Sequence, residues 1–261
     1  MEEALQPFWI GTGWKMNKTV AEARAYVAEL LRHPLPKRDD LSLFVVPPFT
    51  ALAAVREALG DAPVLLGAQN MHWAEAGACT GEISAPMLCE LGVDLVELGH
   101  SERRAACGET DAALNAKVAT ALRHGLRPLL CVGDMAEERD AGASAEAVVR
   151  QVKLAFAGLD AEALGRCLVA YEPVWAIGEH GTAAEPRHVT EVHGAIRRAL
   201  GERTTKRMPI LYGGSVSAAN AVAFAVAGEV DGLFIGRAAW TGQGFAGLIR
   251  DVTEAVLRTR H

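Results

Sequence analysis

Eight short runs rich in apolar residues recur along the chain: FWIGTGW at 8–14, SLFVVP at 42–47, PVLLGA at 63–68, DLVELG at 94–99, LRPLLCVG at 126–133, CLVAYEPVW at 167–175, MPILYGG at 208–214 and DGLFIG at 231–236. Most are apolar without alternation, the pattern of strands buried on both faces in a parallel sheet covered by helices. The stretches between them carry helical spacing with start signals: Asn17 before TVAEARAYVAELLR, Asp111 before AALNAKVATALRH, Pro186 opening RHVTEVHGAIRRAL ahead of Gly201, and Ser217 before AANAVAFAVAG. Eight strands in 261 residues give one unit about every 33 residues, close to the roughly 30 residues of a strand-helix-strand module. A closed barrel typically takes about 250 residues. The pattern therefore predicts an α/β chain folded as a single (β/α)8 barrel domain over residues 1–261, and no linker or low-complexity segment divides it. An open, doubly wound sheet would want a dinucleotide fingerprint after its first strand, and Gly11-Thr12-Gly13-Trp14-Lys15-Met16 supplies only two of the three glycines.

Composition narrows the function classes. Half the residues are apolar and the formal charge is -6, so the chain can bury a core and offers no general attraction for nucleic acid or anionic membrane. The opening MEEALQP carries acid rather than base with no apolar run behind it, and neither a secretory leader nor a membrane span is expected. The five cysteines, at 79, 89, 107, 131 and 167, form neither a CxxC pair nor a zinc framework, and they read as reduced, buried thiols of a cytoplasmic protein. No phosphate-binding P-loop, HExxH helix or calcium loop is present, so the chemistry must be carried without a familiar cofactor motif.

A barrel gathers the carboxyl ends of its strands on one face. Lys15, His100 and Glu172 stand at the ends of the first, fourth and sixth strands. Each alone has a bland explanation: a solvated lysine, a strand-end histidine, a glutamate paired with a neighbouring arginine. Together they supply an electrophile, an acid-base group and a base, the minimum for moving a proton beside a carbonyl. Pro173 holds the Glu172 backbone extended and so aims the carboxylate. The following VWAIGEHGTAAEP, with Gly178 and Gly181, has the composition of a lid or of a plain surface loop. Tyr212-Gly213-Gly214-Ser215-Val216 and Gly232-Leu233-Phe234-Ile235-Gly236-Arg237 end the last two strands with glycines, where barrels frequently bind phosphate; the competing explanation is tight turning alone.

These stretches resemble the triosephosphate isomerase family across nearly the whole chain: WKMNK at 14–18, PPFTAL at 47–52, GAQN at 67–70, GACTGEIS at 77–84, ELGHSERR at 97–104, AYEPVWAIG at 170–178 and YGGSV at 212–216, in the family's order. The resemblance implies a TIM barrel in which Glu172 shuttles a proton between adjacent carbons without a cofactor. Neutral His100 and Lys15 would stabilise the enediolate, and Glu102 would organise Lys15; this glutamate, neutral-histidine and lid arrangement is a standard worked case of tuned acid-base chemistry. It also implies that Gly178, Ser215 and the backbone at Gly236 and Arg237 hold a phosphate, and that a homodimer forms through the 69–82 loop, with Met71, His72 and Trp73 as an apolar tip and Thr80 reaching to the partner. Packing of Trp73 within its own chain is the alternative.

Three departures bear on the substrate. Gly13 stands where the usual triose enzyme has Asn, the lid reads Gly178-Glu179-His180-Gly181 instead of Gly-Thr-Gly-Lys, and Arg237 replaces the second glycine of the last phosphate turn. The Gly13 change is expected to open room beside the reacting carbons. These features resemble a paralogous branch acting on four-carbon erythrulose phosphates, so L-erythrulose 1-phosphate stands beside the triose phosphates as the expected substrate. A phosphate-binding barrel lyase or synthase, or a non-catalytic phosphate-binding module, is the alternative.

Overall fold

The computed structural model describes residues 6–178, 181–204 and 207–260, the side chain of Arg260 excepted; the lid positions Glu179 and His180 lie outside the described residues. Eight strands, β1 (Phe8–Gly13), β2 (Leu41–Val46), β3 (Val64–Ala68), β4 (Leu95–Leu98), β5 (Arg127–Val132), β6 (Leu168–Tyr171), β7 (Ile210–Tyr212) and β8 (Gly232–Ile235), close into a barrel in sequence order. Every neighbouring pair is parallel, including β1 with β8. Each predicted run holds one strand, and the single (β/α)8 barrel is the fold.

The strand residues split by parity into two cores. Trp9, Phe44, Leu95, Leu129, Leu168, Leu211 and Phe234 fill the barrel interior, where Phe44 stacks on Phe234 at 5.5 Å. The opposite parity, including Phe8, Ile10, Leu43, Val96 and Leu98, packs outward against the helices. Gly11 is required by this filling, because a Cβ there would lie 2.0 Å from the Phe44 ring. Inward positions nearer the carboxyl rim break the apolar rule: Gly13 on β1, Glu97 on β4 and Cys131 on β5 are buried there.

Helix starts shift by one to three residues from the sequence expectation. The helix Val20–Leu30 is capped by Thr19, not Asn17, because Thr19 and Glu22 exchange side-chain and backbone bonds in a capping box, an arrangement worth about 1 kcal/mol. Asn17 instead donates to the Trp14 carbonyl at 2.8 Å. Thr110 caps the helix Asp111–Arg123, with Asp111 inside its first turn beside Arg104. Ser217 precedes a turn rather than capping a helix, since the helix Ala221–Ala225 begins after Asn220. Pro186 opens the helix Pro186–Gly201 as expected. The cysteines are all free, but only Cys131 and Cys167 are buried; Cys79, Cys89 and Cys107 lie on exposed loop and helix-end positions. Among the described residues no helix is long and apolar enough to cross a membrane.

Candidate active site

The carboxyl rim encloses a cavity of about 510 Å³, and all nine residues singled out from the sequence line it: Gly13, Lys15, Glu102, His100, Glu172, Gly178, Ser215, Gly236 and Arg237. Lys15 follows β1 in the left-handed region, φ 53°, a conformation costing about 1–3 kcal/mol for a side-chain-bearing residue. Gln69 holds it there by donating to the Lys15 carbonyl at 2.8 Å. Trp240 Nε1 donates to the Gly13 carbonyl at 3.0 Å, tying the first and last loops together beneath it. The ammonium then donates to Glu102 Oε1 at 2.6 Å.

His100 is aimed by a turn and a helix. Gly99, at φ 79°, reverses the side-chain parity after β4; a Cβ there would meet Leu114 at 2.7 Å, so only glycine fits. His100 then caps the helix Ser101–Cys107, its Nδ1 accepting from the Glu102 backbone N–H at 3.2 Å. An accepting Nδ1 carries no proton, which puts the ring's proton on Nε2, the nitrogen 3.6 Å from Glu172 Oε2. Burial lowers the imidazole's pKa, but the Glu172 and Glu97 carboxylates more than reverse this, and the net shift is upward. The helix N-terminus favours a neutral ring, whereas the two carboxylates work against the neutrality expected of His100.

Glu172 follows β6 and is 3% exposed. Its backbone N–H bonds the Val132 carbonyl at 2.8 Å, while Oε2 is buried with no hydrogen-bond partner among the described residues. Burial pushes its carboxyl upward, with His100 and Lys15 pulling the other way. Gly213 makes the side chain's room, since a Cβ there would sit 2.8 Å from Glu172 Cγ. Beyond Pro173, the lid base is fixed by Trp175 Nε1 donating to the buried Asp134 at 3.0 Å. Two predicted phosphate residues also reach the lid: Ser215, at φ 46°, donates its hydroxyl to the Ala176 carbonyl, and Arg237 Nη2 donates to the Gly178 carbonyl at 2.8 Å.

The room expected beside Gly13 is partly filled by Phe234 of the neighbouring strand β8, with Glu97 of β4 facing it from across the barrel. An ideal Cβ on Gly13 would stand 3.0 Å from Phe234 Cζ and 3.9 Å from Glu97 Oε2. Glu97 lines the cavity and is 5% exposed. The sequence reading missed it, although DLVELG carried the signal: it is the one acidic residue within the eight strands, at the inward parity of β4. Burial pushes its carboxyl up to about 7, with His100 opposing and Glu172 adding to the rise. Glu97, Cys131 and Glu172 bring their donor atoms within 4.8 Å of one another. Burial and the two carboxylates drive the Cys131 thiol far above its ordinary value, which makes it a poor thiolate donor and the trio a poor cation site.

A closed barrel with acid-base groups converging at the carboxyl rim defines a class, the (β/α)8 enzymes whose chemistry is carried by side chains at the strand ends. The family profile described as Triosephosphate isomerase matches residues 8–252. The chain belongs to the triosephosphate isomerase family and is an isomerase of the sugar-phosphate type. It is 46% identical over 251 residues to L-erythrulose-1-phosphate isomerase of Mesorhizobium japonicum, covering 95% of this chain and 98% of the relative. It is 48% identical over 243 residues to the protein of the same name from Mycolicibacterium smegmatis, covering 92% of this chain and 91% of the relative. The Brucella abortus protein of that name is 45% identical over 243 residues, 93% of this chain and 95% of its own length.

Proposed function

We propose that the chain isomerises L-erythrulose 1-phosphate, using Lys15, His100, Glu172 and Glu102 as its catalytic group and no cofactor. The observation that carries the chemistry is Glu172 Oε2, a buried carboxylate oxygen without a hydrogen-bond partner among the described residues, facing His100 Nε2 at 3.6 Å in a cavity that Lys15 also lines. In this reading Glu172 removes the proton from C3 and returns one to C2. The C2 carbonyl becomes a hydroxyl, the C3 hydroxyl becomes the carbonyl, and the enediolate between them is stabilised by the His100 N–H and the Lys15 ammonium. Glu102 holds Lys15 in place at 2.6 Å. The phosphate sits between Ser215 and the backbone at Gly236 and Arg237, with Gly178 of the lid closing over it. Closure excludes water and suppresses phosphate elimination from the enediolate.

The four-carbon substrate is supported by the relatives' name and by the absent side chain at Gly13. We further infer one catalytic unit spanning 1–261, a cytoplasmic location, to which the five free cysteines point, and a homodimer formed through the 69–82 loop. The deciding assay measures kcat/KM for L-erythrulose 1-phosphate and for glyceraldehyde 3-phosphate on one preparation. The expected result is a preference for the four-carbon ketose of at least about tenfold, with residual triose activity because one lost carbon contact costs only about 1–3 kcal/mol. A preference for the triose would refute the substrate assignment.

A further inference from the structure

We infer that Glu97 is the specificity-determining residue for the fourth carbon, its carboxyl accepting the terminal hydroxyl of the ketose phosphate in the space beside Gly13. The inference rests on the four-carbon reading above and deepens it. Glu97 is the carboxyl nearest the missing Gly13 side chain, with Oε2 3.9 Å from the ideal Cβ position. It also stands beside the base, because one of its carboxylate oxygens and one of Glu172's lie within 4.8 Å of each other.

Substrate chemistry places the extra group there. When Glu172 takes the C3 proton, the substituent that distinguishes a four-carbon ketose phosphate from dihydroxyacetone phosphate is the hydroxymethyl on that same carbon. With the phosphate held at Ser215 and Gly236, this group would extend to the other side of the reacting centre, toward the barrel interior. Phe234, Gly13 and Glu97 line the cavity and stand together, Phe234 and Glu97 both within 4 Å of an ideal Gly13 Cβ. Phe234 offers carbon contact, and Glu97 alone of the three offers a side-chain acceptor.

Glu97 is also under-used by its own protein. Among the described residues its hydrogen-bond contact is the Cys131 thiol at 3.9 Å, a weak donor at long range, and no arginine or lysine pairs with it. A carboxyl kept inside a barrel without a strong donor costs stability, and a substrate hydroxyl supplies the donor that the fold does not. Its rise to about 7 lets it meet the substrate in either protonation state, accepting through a free oxygen in both.

The test compares L-erythrulose 1-phosphate with its 4-deoxy analogue on the wild type, Glu97→Leu and Glu97→Gln, following kcat/KM and thermal unfolding for each. A site built to bond a hydroxyl rejects the analogue lacking it. The wild type is expected to prefer the hydroxylated substrate by about a hundredfold, Glu97→Gln to keep most of that preference through its amide oxygen, and Glu97→Leu to reduce it below about threefold. A purely structural Glu97 would lower both substrates together and leave the ratio intact, which overturns the inference. A wild type that turns over both four-carbon compounds equally also overturns it, with no variant needed. A wild type inactive on either but active on triose phosphate refutes the four-carbon reading itself, and the inference with it.

Discussion

Glu97 couples the site to the stability of the fold. Its ordinary pKa of 4.5 is pushed up to about 7 by burial in the folded chain. Below 4.5 the carboxyl is protonated in both the folded and unfolded states; as pH rises the unfolded chain releases its proton first, and stability is lost until the folded group also ionises near 7. The loss is on the order of 3 kcal/mol. Glutamine at this position has no proton to lose, so the Tm of Glu97→Gln is expected to gain on the wild type by several degrees between about pH 5 and about pH 8. A Tm difference that is the same at both ends would show that Glu97 does not titrate in this range. Glu97 is hard to read from sequence because the other reacting side chains follow their strands, whereas this carboxyl reaches the mouth from within one.

At the scale of elements, the strands were legible because burial on both faces writes itself as apolar runs, most of them unbroken, and each of the eight strands falls within one of the eight runs. Caps were less legible, because a cap is chosen by its partner three residues on: Thr19 wins over Asn17 through Glu22. The loop after β3 was half legible. Met71 is fully buried in its own core rather than forming an apolar tip, while Trp73 is 45% exposed and stacks on His72 at 4.1 Å. The loop is closed at its stem by the His72 N–H to Ile83 carbonyl bond at 2.8 Å, and 75–82 stand exposed beyond it. A stiff stem with a protruding tip suits insertion into a second copy. Sedimentation equilibrium is therefore expected to give twice the 27.7 kDa chain mass, and a variant with 76–81 replaced by a short turn is expected to sediment as a folded monomer. A monomeric wild type would remove the loop from any interface.

At the scale of the whole molecule, closure of the barrel turns three distant stretches into one site. Lys15 and Glu102 are 87 positions apart in sequence and 2.6 Å apart in space, because β1 and β4 end on the same rim. Strand order and parity made that rim readable in advance. What they could not convey was which side chains fill the interior beneath it, since Phe234 and Glu97 enter the space beside Gly13 from strands far away in the chain.

All of this chemistry turns on Glu172 carrying a proton between neighbouring carbons of a sugar phosphate. Its most direct test is isomerisation of L-erythrulose 1-phosphate in heavy water by the wild type and by Glu172→Gln, with deuterium at carbon followed by NMR. The wild type is expected to place solvent deuterium on the carbon that receives the returned proton, and Glu172→Gln, still folded, to lose both turnover and exchange by at least about a hundredfold. Turnover and exchange that persist undiminished in a folded Glu172→Gln would contradict it.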